Sequence, residues 1–369
     1  MKYIYLFNEY KKNDLQDLLG NKGANLSKIT NLGLPVSNGF IITTDACNQY
    51  YRDDEKINPE IQKQINEYIN KLEQITGKNF GNINNPLLVS IKCGAKNEIP
   101  NIMNTILNVG LTEDIVENLS KNTNDFIWIW ECYLNFIQNY SKNVIGIDLE
   151  CFKDIKNILK NNKPQLTIEI LRMLASKLKE EYKLKVQTDF PDNSTKQLTS
   201  IINFSFKSWS NERANVFRND LDIPFTSGLA ICIQSMVFGN INKNCGTGTI
   251  FTRDPITGEK KLIGNFSKQS LETYVDLHMD STLERSTLSS EFSEIYGQLK
   301  DICKLLESHY KDMLKIDFVI ENNKLFVIQV SKGKRTANAA LKIACDFFDE
   351  TITNNLVEKS FGLTKTKNR

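Results

Sequence analysis

The sequence predicts a mixed α/β or α+β fold, and three observations predict it. Short β-branched runs alternate with amphipathic helical stretches. A hairpin-like segment, "IDFVIENNKLFVIQV", lies near the end, and one block from Thr112 to about Trp209 is helical almost throughout. At 369 residues the chain is long enough for two or three packed domains.

The elements follow in order. "KYIYLF" has the alternation of a first strand. After Gly20-Asn21-Lys22-Gly23, the residues Ala24, Leu26, Ile29 and Leu32 keep helical spacing until Gly33 stops them. "GFIITT" is a β-branched strand with Asp45 placed to cap the next helix, and Pro59 to Ile75 form a long polar amphipathic helix. "PLLVSIKCGA" predicts a buried strand that runs into a loop. Beyond the helical block, strands return at Gly228–Gly239, Gly246–Pro255 and Glu259–Phe266. A helix carrying Phe292, Ile295, Leu299, Ile302 and Leu306 on one face precedes the hairpin, and a helix through "AALKIACDFF" follows it.

Composition removes several function classes. The 46 Lys and Arg against 44 Asp and Glu leave a net charge of +2, so nothing electrostatic calls for nucleic acid or an anionic membrane as partner. The start lacks a signal peptide's apolar core, and no apolar run approaches the ~20 residues that span a bilayer, so a cytoplasmic location is expected. The 8 cysteines include no CxxC pair, and most are expected to be small buried hydrophobes. Of the 2 histidines, His309 has a structural setting, and His278 lacks the Gly, Ser or Thr context of a phosphorylatable one.

The glycine clusters are where backbone can approach a ligand. "GNKGANL" is not a P-loop, because Gly23 stands where GxxxxGK[ST] needs Ser or Thr. Lys22 can still bring a point charge to phosphate oxygens; taken alone, a solvated lysine in a helix-start turn is the better account. Lys92, at the end of a strand, is a second candidate cation, or a surface lysine. "NCGTGTIFTRDP" offers Gly246-Thr247-Gly248 as a flexible turn that could cover a polyphosphate, with Arg253 as a further nucleotide contact; taken alone, a plain hairpin turn is the better account. Asp317 and Gln329 carry the oxygen ligands that Mg²⁺ prefers. A two-residue Asn322-Asn323 turn would pair 317 with 328 and put Gln329 on the opposite face. A metal pair therefore needs an odd-length loop that pairs 317 with 329.

Six segments in order, "LLGNKGANLSKITNLGLPVSNGFIITTDAC", "NNPLLVSIKCGA", "MNTILNVGL", "MVFGN", "GTGTIFTRDPITGEK" and "GKRTANAALKIACD", resemble the N-terminal nucleotide-binding region of the pyruvate, phosphate dikinase family. The likeness covers nearly the whole chain and is weakest in the helical middle and around 265–285. It implies an ATP-grasp-like α+β fold with an inserted helical subdomain. Residues 1–111 with 200–240 would form the first subdomain, 112–199 the insertion, 241–345 the second subdomain with the metal-site hairpin, and 346–369 a truncated linker or tail. It further implies ATP and Mg²⁺ as ligands, with Lys22 on a phosphate and Gln329 near metal and nucleotide. The family's later domains, one bearing a phosphorylated histidine and one binding pyruvate or phosphoenolpyruvate, have no counterpart in the sequence and would be supplied by a separate chain.

Several positions depart from the family pattern. Lys92 and Cys93 replace the Arg-Ser of V-R-S-G-A, which keeps a charge and loses the bidentate fork. Lys315 and Asp317 stand for an acidic pair around D-x-E-F, and Ser331 for an arginine. Leu134 and Asn135 replace an arginine pair, only Glu272 survives from another motif with Met279 near its lost arginine, and the P-G-M-M-D turn reads Pro100-Asn101-Ile102-Met103-Asn104. Phosphoryl transfer depends on positioned charge, and one lost donor typically costs ~3 kcal/mol of barrier. The expectation is an ATP-binding domain that at most phosphorylates a histidine on another chain. Catalysis stays open, and the alternatives are an inactive paralogue serving as a nucleotide-binding or protein-interaction module, or a decaying gene fragment.

Overall fold

Alternating apolar residues place the first strands in a buried sheet. Phe40, Ile41 and Ile42 are fully buried on consecutive positions, so both faces of that sheet are covered. Tyr68 packs on Phe40 from one side, with ring centroids 5.8 Å apart, while the Ile41 side chain meets the backbone of Gly23 on the other. The computed structural model describes residues 1–11, 15–97, 104–121, 126–161, 166–270 and 287–360, without the side chains of 160, 161 and 351–360. These fall into two compact units, Met1–Val237 and Phe238–Arg369.

The first unit runs β1 (Ile4–Leu6), α1 (Leu15–Asn31), β2 (Gly39–Ile42), α2 (Thr44–Arg52), α3 (Pro59–Thr76), β3 (Asn79–Phe80), β4 (Pro86–Leu87), β5 (Val89–Gly94) and β6 (Ile106–Val109). It continues with α4 (Glu113–Lys121), α5 (Ile127–Tyr140), α6 (Cys151–Asn161), α7 (Ile168–Val186), α8 (Ser194–Lys207), α9 (Glu212–Asp220) and β7 (Ala230–Ser235). Its main sheet has the order β1-β2-β7-β5-β6 with every pair antiparallel. The return of β7 between β2 and β5 closes the unit around everything that lies between them in sequence.

Local chemistry accounts for the helix ends. In α3 the Asn58 side chain accepts from the Ile61 N–H at 2.9 Å, Pro59 fills the first turn, and Gly77 takes a left-handed φ of 68° after the last turn. Thr43, not Asp45, occupies the position before α2, and its side chain makes no capping bond. The helical block belongs to the first unit and does not form a third. Its centre is α5, whose Ile129, Trp130, Tyr133, Leu134, Phe136 and Ile137 are essentially inaccessible to solvent. Such an all-round apolar helix must be enclosed, and α4, α7 and β6 enclose it.

The second unit contains β8 (Gly246–Phe251), β9 (Ile263–Lys268), α10 (Thr287–Glu291), α11 (Ser293–Tyr310), β10 (Leu314–Glu321), β11 (Lys324–Lys332) and α12 (Ala337–Ser360). The four strands form an antiparallel sheet in the order β11-β10-β8-β9. Ile295, Leu299, Ile302 and Leu306 of α11 are buried, as their helical spacing predicts. Helix α12 runs on to Ser360, through the segment that reads as a tail beyond 345.

Candidate functional site

Each unit builds its own polar constellation. In the first, Gly20 breaks α1 with φ 64° and ψ 171°, so a fresh helical run starts at Asn21. A Cβ on Gly20 would lie 2.1 Å from the Gly94 carbonyl oxygen, so no side chain fits there. The Asn21 N–H donates to the Ala95 carbonyl at 2.9 Å and pins this turn to the end of β5. Lys22 then lies alongside: a Cβ at Gly94 would sit 3.3 Å from Lys22 Cγ. Gly23 lets the helix close on Ile41, whose Cδ1 would be 3.1 Å from an added Cβ. Both glycines thus serve backbone packing, and the packing fixes where Lys22 starts.

Lys92 is not a surface lysine. It is 4% exposed, and its ammonium donates to Gln234 Oε1 at 3.0 Å. Gln234, buried on β7, in turn donates to the Ser37 carbonyl at 3.4 Å. Register puts Lys92 opposite Cys232 and Ser90 opposite Gln234, so all four side chains share one sheet face. The amide accepts this hydrogen bond as a neutral group. Burial pushes the Cys232 thiol up to about 12 although Lys92 and Lys22 pull the other way, and burial pushes Cys93 up to about 11. Neither is a nucleophile near neutral pH.

In the second unit the Gly-Thr-Gly segment is not a turn. Gly246, Thr247 and Gly248 lie inside β8, which pairs with β9 on one side and β10 on the other. Their backbone groups therefore belong to the ladder and are not offered to a polyphosphate. The glycines are there for rings: a Cβ on Gly246 would meet Phe266 at 2.4 Å and one on Gly248 would meet Phe318 at 2.3 Å. Phe266 and Phe318 stack with an interplanar angle of 2°. The Thr247 hydroxyl donates to the Ser270 carbonyl at 2.6 Å.

Arg253 likewise departs from its expected role. It is fully buried, with Nε 3.0 Å from Glu307 Oε1, Nη1 3.0 Å from Asp346 Oδ2 and Nη2 3.5 Å from Glu350 Oε1. Its guanidinium carbon also lies 4.5 Å from the centre of the Phe347 ring. The three carboxylates engage all three guanidinium nitrogens, so the residue ties the end of β8 to α11 and α12 and is committed to the fold.

The hairpin resolves its register in an unexpected way. Asn322 and Asn323, at φ 50° and 59°, make a two-residue turn with Glu321 opposite Lys324. That turn alone would set Asp317 against Ile328. A bulge between the 317 and 318 pairs absorbs one residue, so Phe318 faces Val327 while Asp317 faces Gln329. An odd-length loop is therefore not needed. Thr249 stands across from Asp317 on the other side and donates to its Oδ1 at 2.6 Å. Lys315 places its ammonium 3.1 Å from the same oxygen.

That ammonium decides the metal question. Mg²⁺ asks for a near-octahedral shell of oxygens at ~2.0–2.1 Å. Here one carboxylate already bridges a hydroxyl and a cation, and Gln329 adds one amide. Among the described residues no group of three or more His, Cys, Asp or Glu side chains could hold a metal ion. Asp317 and Gln329 do not fit a resident Mg²⁺.

Lys22 and Lys92 thus come together at β5, Asp317 and Gln329 come together on β10 and β11, and Arg253 stands apart. Sequence reading missed Gln234 and Thr249. A glutamine inside the apolar run "AICIQS" was the available signal for the first; Thr249 had none beyond strand alternation. Leu134 is in the α5 core and Asn135 donates to the Glu131 carbonyl at 2.8 Å, so neither position offers a cation. Ser331 stands opposite Lys315. Glu272, His278, Met279 and the turn residues 100–103 lie outside the described residues.

The sequence matches the family described as "Pyruvate phosphate dikinase, AMP/ATP-binding domain" over residues 16–127 and 94–267. It is 40% identical over 355 residues to the pyruvate, phosphate dikinase of Clostridium symbiosum, covering 95% of this chain and 40% of that protein. Identity to the Rhizobium meliloti (strain 1021) pyruvate, phosphate dikinase is 36%, over 95% of this chain and 41% of the relative. For the chloroplastic pyruvate, phosphate dikinase of Flaveria trinervia it is 34%, over 91% and 36%. The chain therefore spans about two fifths of the length of these curated relatives. Among the described residues no helix is long and apolar enough to cross a membrane.

Proposed function

The chain belongs to the pyruvate phosphate dikinase AMP/ATP-binding-domain family, and from that premise we propose that it binds ATP, with Lys22 and Lys92 meeting phosphate oxygens. The observation that carries this reading is the turn at Gly20, which admits no side chain and starts Lys22 beside the strand that bears a buried Lys92. Lys92 keeps an ammonium 4% exposed inside this sheet face, where an apolar residue would cost less to bury. A charge kept inside at that expense is the mark of a site that receives an anion.

Magnesium enters this reading only as the counter-ion ATP brings with it, because Asp317 and Gln329 do not form its shell. Any phosphoryl acceptor would be a histidine on another domain or polypeptide, since His278 lacks the Gly, Ser or Thr context of a phosphorylatable one and His309 packs edge-on against Tyr310. A second reading, binding without catalysis, is favoured by one specific feature: Lys315 converts an expected acidic pair into an internal ion pair. Phosphoryl transfer stabilises charge that develops on the moving group, and that stabilisation rests on placed cations.

Calorimetric titration of the purified chain with ATP tests the proposal. Binding that Lys22→Ala weakens by roughly tenfold or more is expected, as for a lost charge-assisted contact. No heat and no thermal stabilisation at millimolar ATP would sink it.

A further inference from the structure

We propose that Gln234 is the positioning residue of Lys92, a neutral amide that holds the ammonium inside the first unit where a phosphate oxygen can meet it. This rests on the ATP-binding reading and deepens it. Left to itself, a lysine stem on a sheet swings its ammonium toward water. Lys92 instead stays 4% exposed, with its ammonium 3.0 Å from Gln234 Oε1. The two residues are diagonal neighbours: Cys232 stands opposite Lys92, and Gln234 lies two positions further along β7 on the same face. Diagonal neighbours are ~7–8 Å apart, a span that a lysine and a glutamine close by leaning toward each other.

Gln234 is itself fixed from its other end. It is 1% exposed, and its Nε2 donates to the Ser37 carbonyl, just ahead of β2, at 3.4 Å. An ammonium only donates and a carbonyl only accepts, so these two partners dictate which way the amide faces. The Ser90 hydroxyl donates to the Gln234 backbone carbonyl at 3.4 Å and ties the same residue to β5. An amide in the apolar run of β7 is costly to bury unless its polar ends are used, and both are used here. What the amide offers over a carboxylate is electrical. Either group would fix the ammonium, but a carboxylate would oppose its charge, as Asp317 does beside Lys315. The glutamine fixes the position of Lys92 and adds no negative charge next to an arriving anion.

The test is a double-mutant cycle on ATP affinity, measured by calorimetry of the full chain for the natural sequence, Gln234→Met, Lys92→Met and the two combined, with Gln234→Glu beside them. Gln234→Met should weaken ATP binding about tenfold in the natural background, as for a lost contact to a charged group. In the Lys92→Met background the same change should cost less than about twofold, because the amide has no ammonium left to position. Gln234→Glu keeps the shape and opposes the charge, so it should weaken binding by about tenfold or more. A purely structural glutamine would lower affinity by the same factor in both backgrounds, and that result would overturn the inference while leaving ATP binding itself intact. Natural affinity in Gln234→Glu or in Lys92→Met would do the same. No ATP binding by the natural chain would overturn both readings. Circular dichroism shows whether each variant folds, and the isosteric Gln234→Glu decides the matter should Gln234→Met not fold.

Discussion

At their polar constellations the two units hold cations by different means. In the first, Lys92 is buried against a neutral amide, Gln234, and its charge stays uncancelled by that contact. In the second, each principal cation sits on carboxylate: Lys315 on Asp317, and Arg253 on Glu307, Asp346 and Glu350. An amide-held cation retains its pull on an incoming anion, whereas a carboxylate-held one has much of it cancelled and contributes to architecture or to charge balance. The difference separates a place built to attract from places built to hold, although lysine or arginine supplies the charge in both.

The largest way to break this comparison is at Arg253. Removing one partner of a buried ion pair leaves the others uncompensated and costs ~3–5 kcal/mol, so Arg253→Ala should lower the unfolding free energy of the second unit by about that much. Urea denaturation checks it, and a loss under ~1 kcal/mol, the scale of an exposed pair, would show that the three carboxylates do not act as a cage. Next come the glycines, which serve packing in both units. Gly20→Ala would force a Cβ onto the Gly94 carbonyl at a positive φ, and Gly248→Ala would force one into Phe318. Each should cost ~1–3 kcal/mol. Only the first should also weaken ATP binding, measured on the same samples by calorimetry, because it alone moves the strand end beside Lys22.

The smallest effect is a pH dependence. Glu350 is held below its ordinary value of 4.5, first by the hydrogen bond from Lys260 and then by the Lys260 and Arg253 charges, partly offset by burial. A depressed carboxylate contributes stability that is present above the unfolded value and lost as pH falls through the folded one. Thermal melts from pH 5 downward should therefore fall less steeply for Glu350→Gln than for the natural chain. Parallel curves would remove Glu350 from the cage and leave Arg253 with Glu307 and Asp346.

The sequence made the elements legible because local periodicity specifies them. The α11 face, the helix from Pro59 and the hairpin strands all follow from spacing within one element. What it hid were relations between elements. The partners of Arg253 lie 54, 93 and 97 residues away, so a motif reading assigned its charge to a ligand. Glycines in "GTGT" suggested a turn, because nothing local announces that two phenylalanines from other strands will cover them. Lys92 reads as exposed from its type, and only the pairing of β5 with β7 reveals Gln234 beside it. The family likeness supplied the order of these segments; it could not supply which residue each charge would face.

The bulge in β11 has a consequence of another kind. Residues 318 to 327 pair as the tight Asn322-Asn323 turn dictates, and one extra residue then brings Gln329, not Ile328, opposite Asp317. The composition of that face is therefore set by counting as much as by chemistry. Inserting a single residue between 324 and 328 would leave every side chain of the site in the sequence and yet turn the glutamine away from the aspartate, whereas deleting one would remove the bulge and keep 317 opposite the glutamine. Length variation, more than substitution, is where this surface is vulnerable, and a relative that gained one residue there would present a different surface with the same letters.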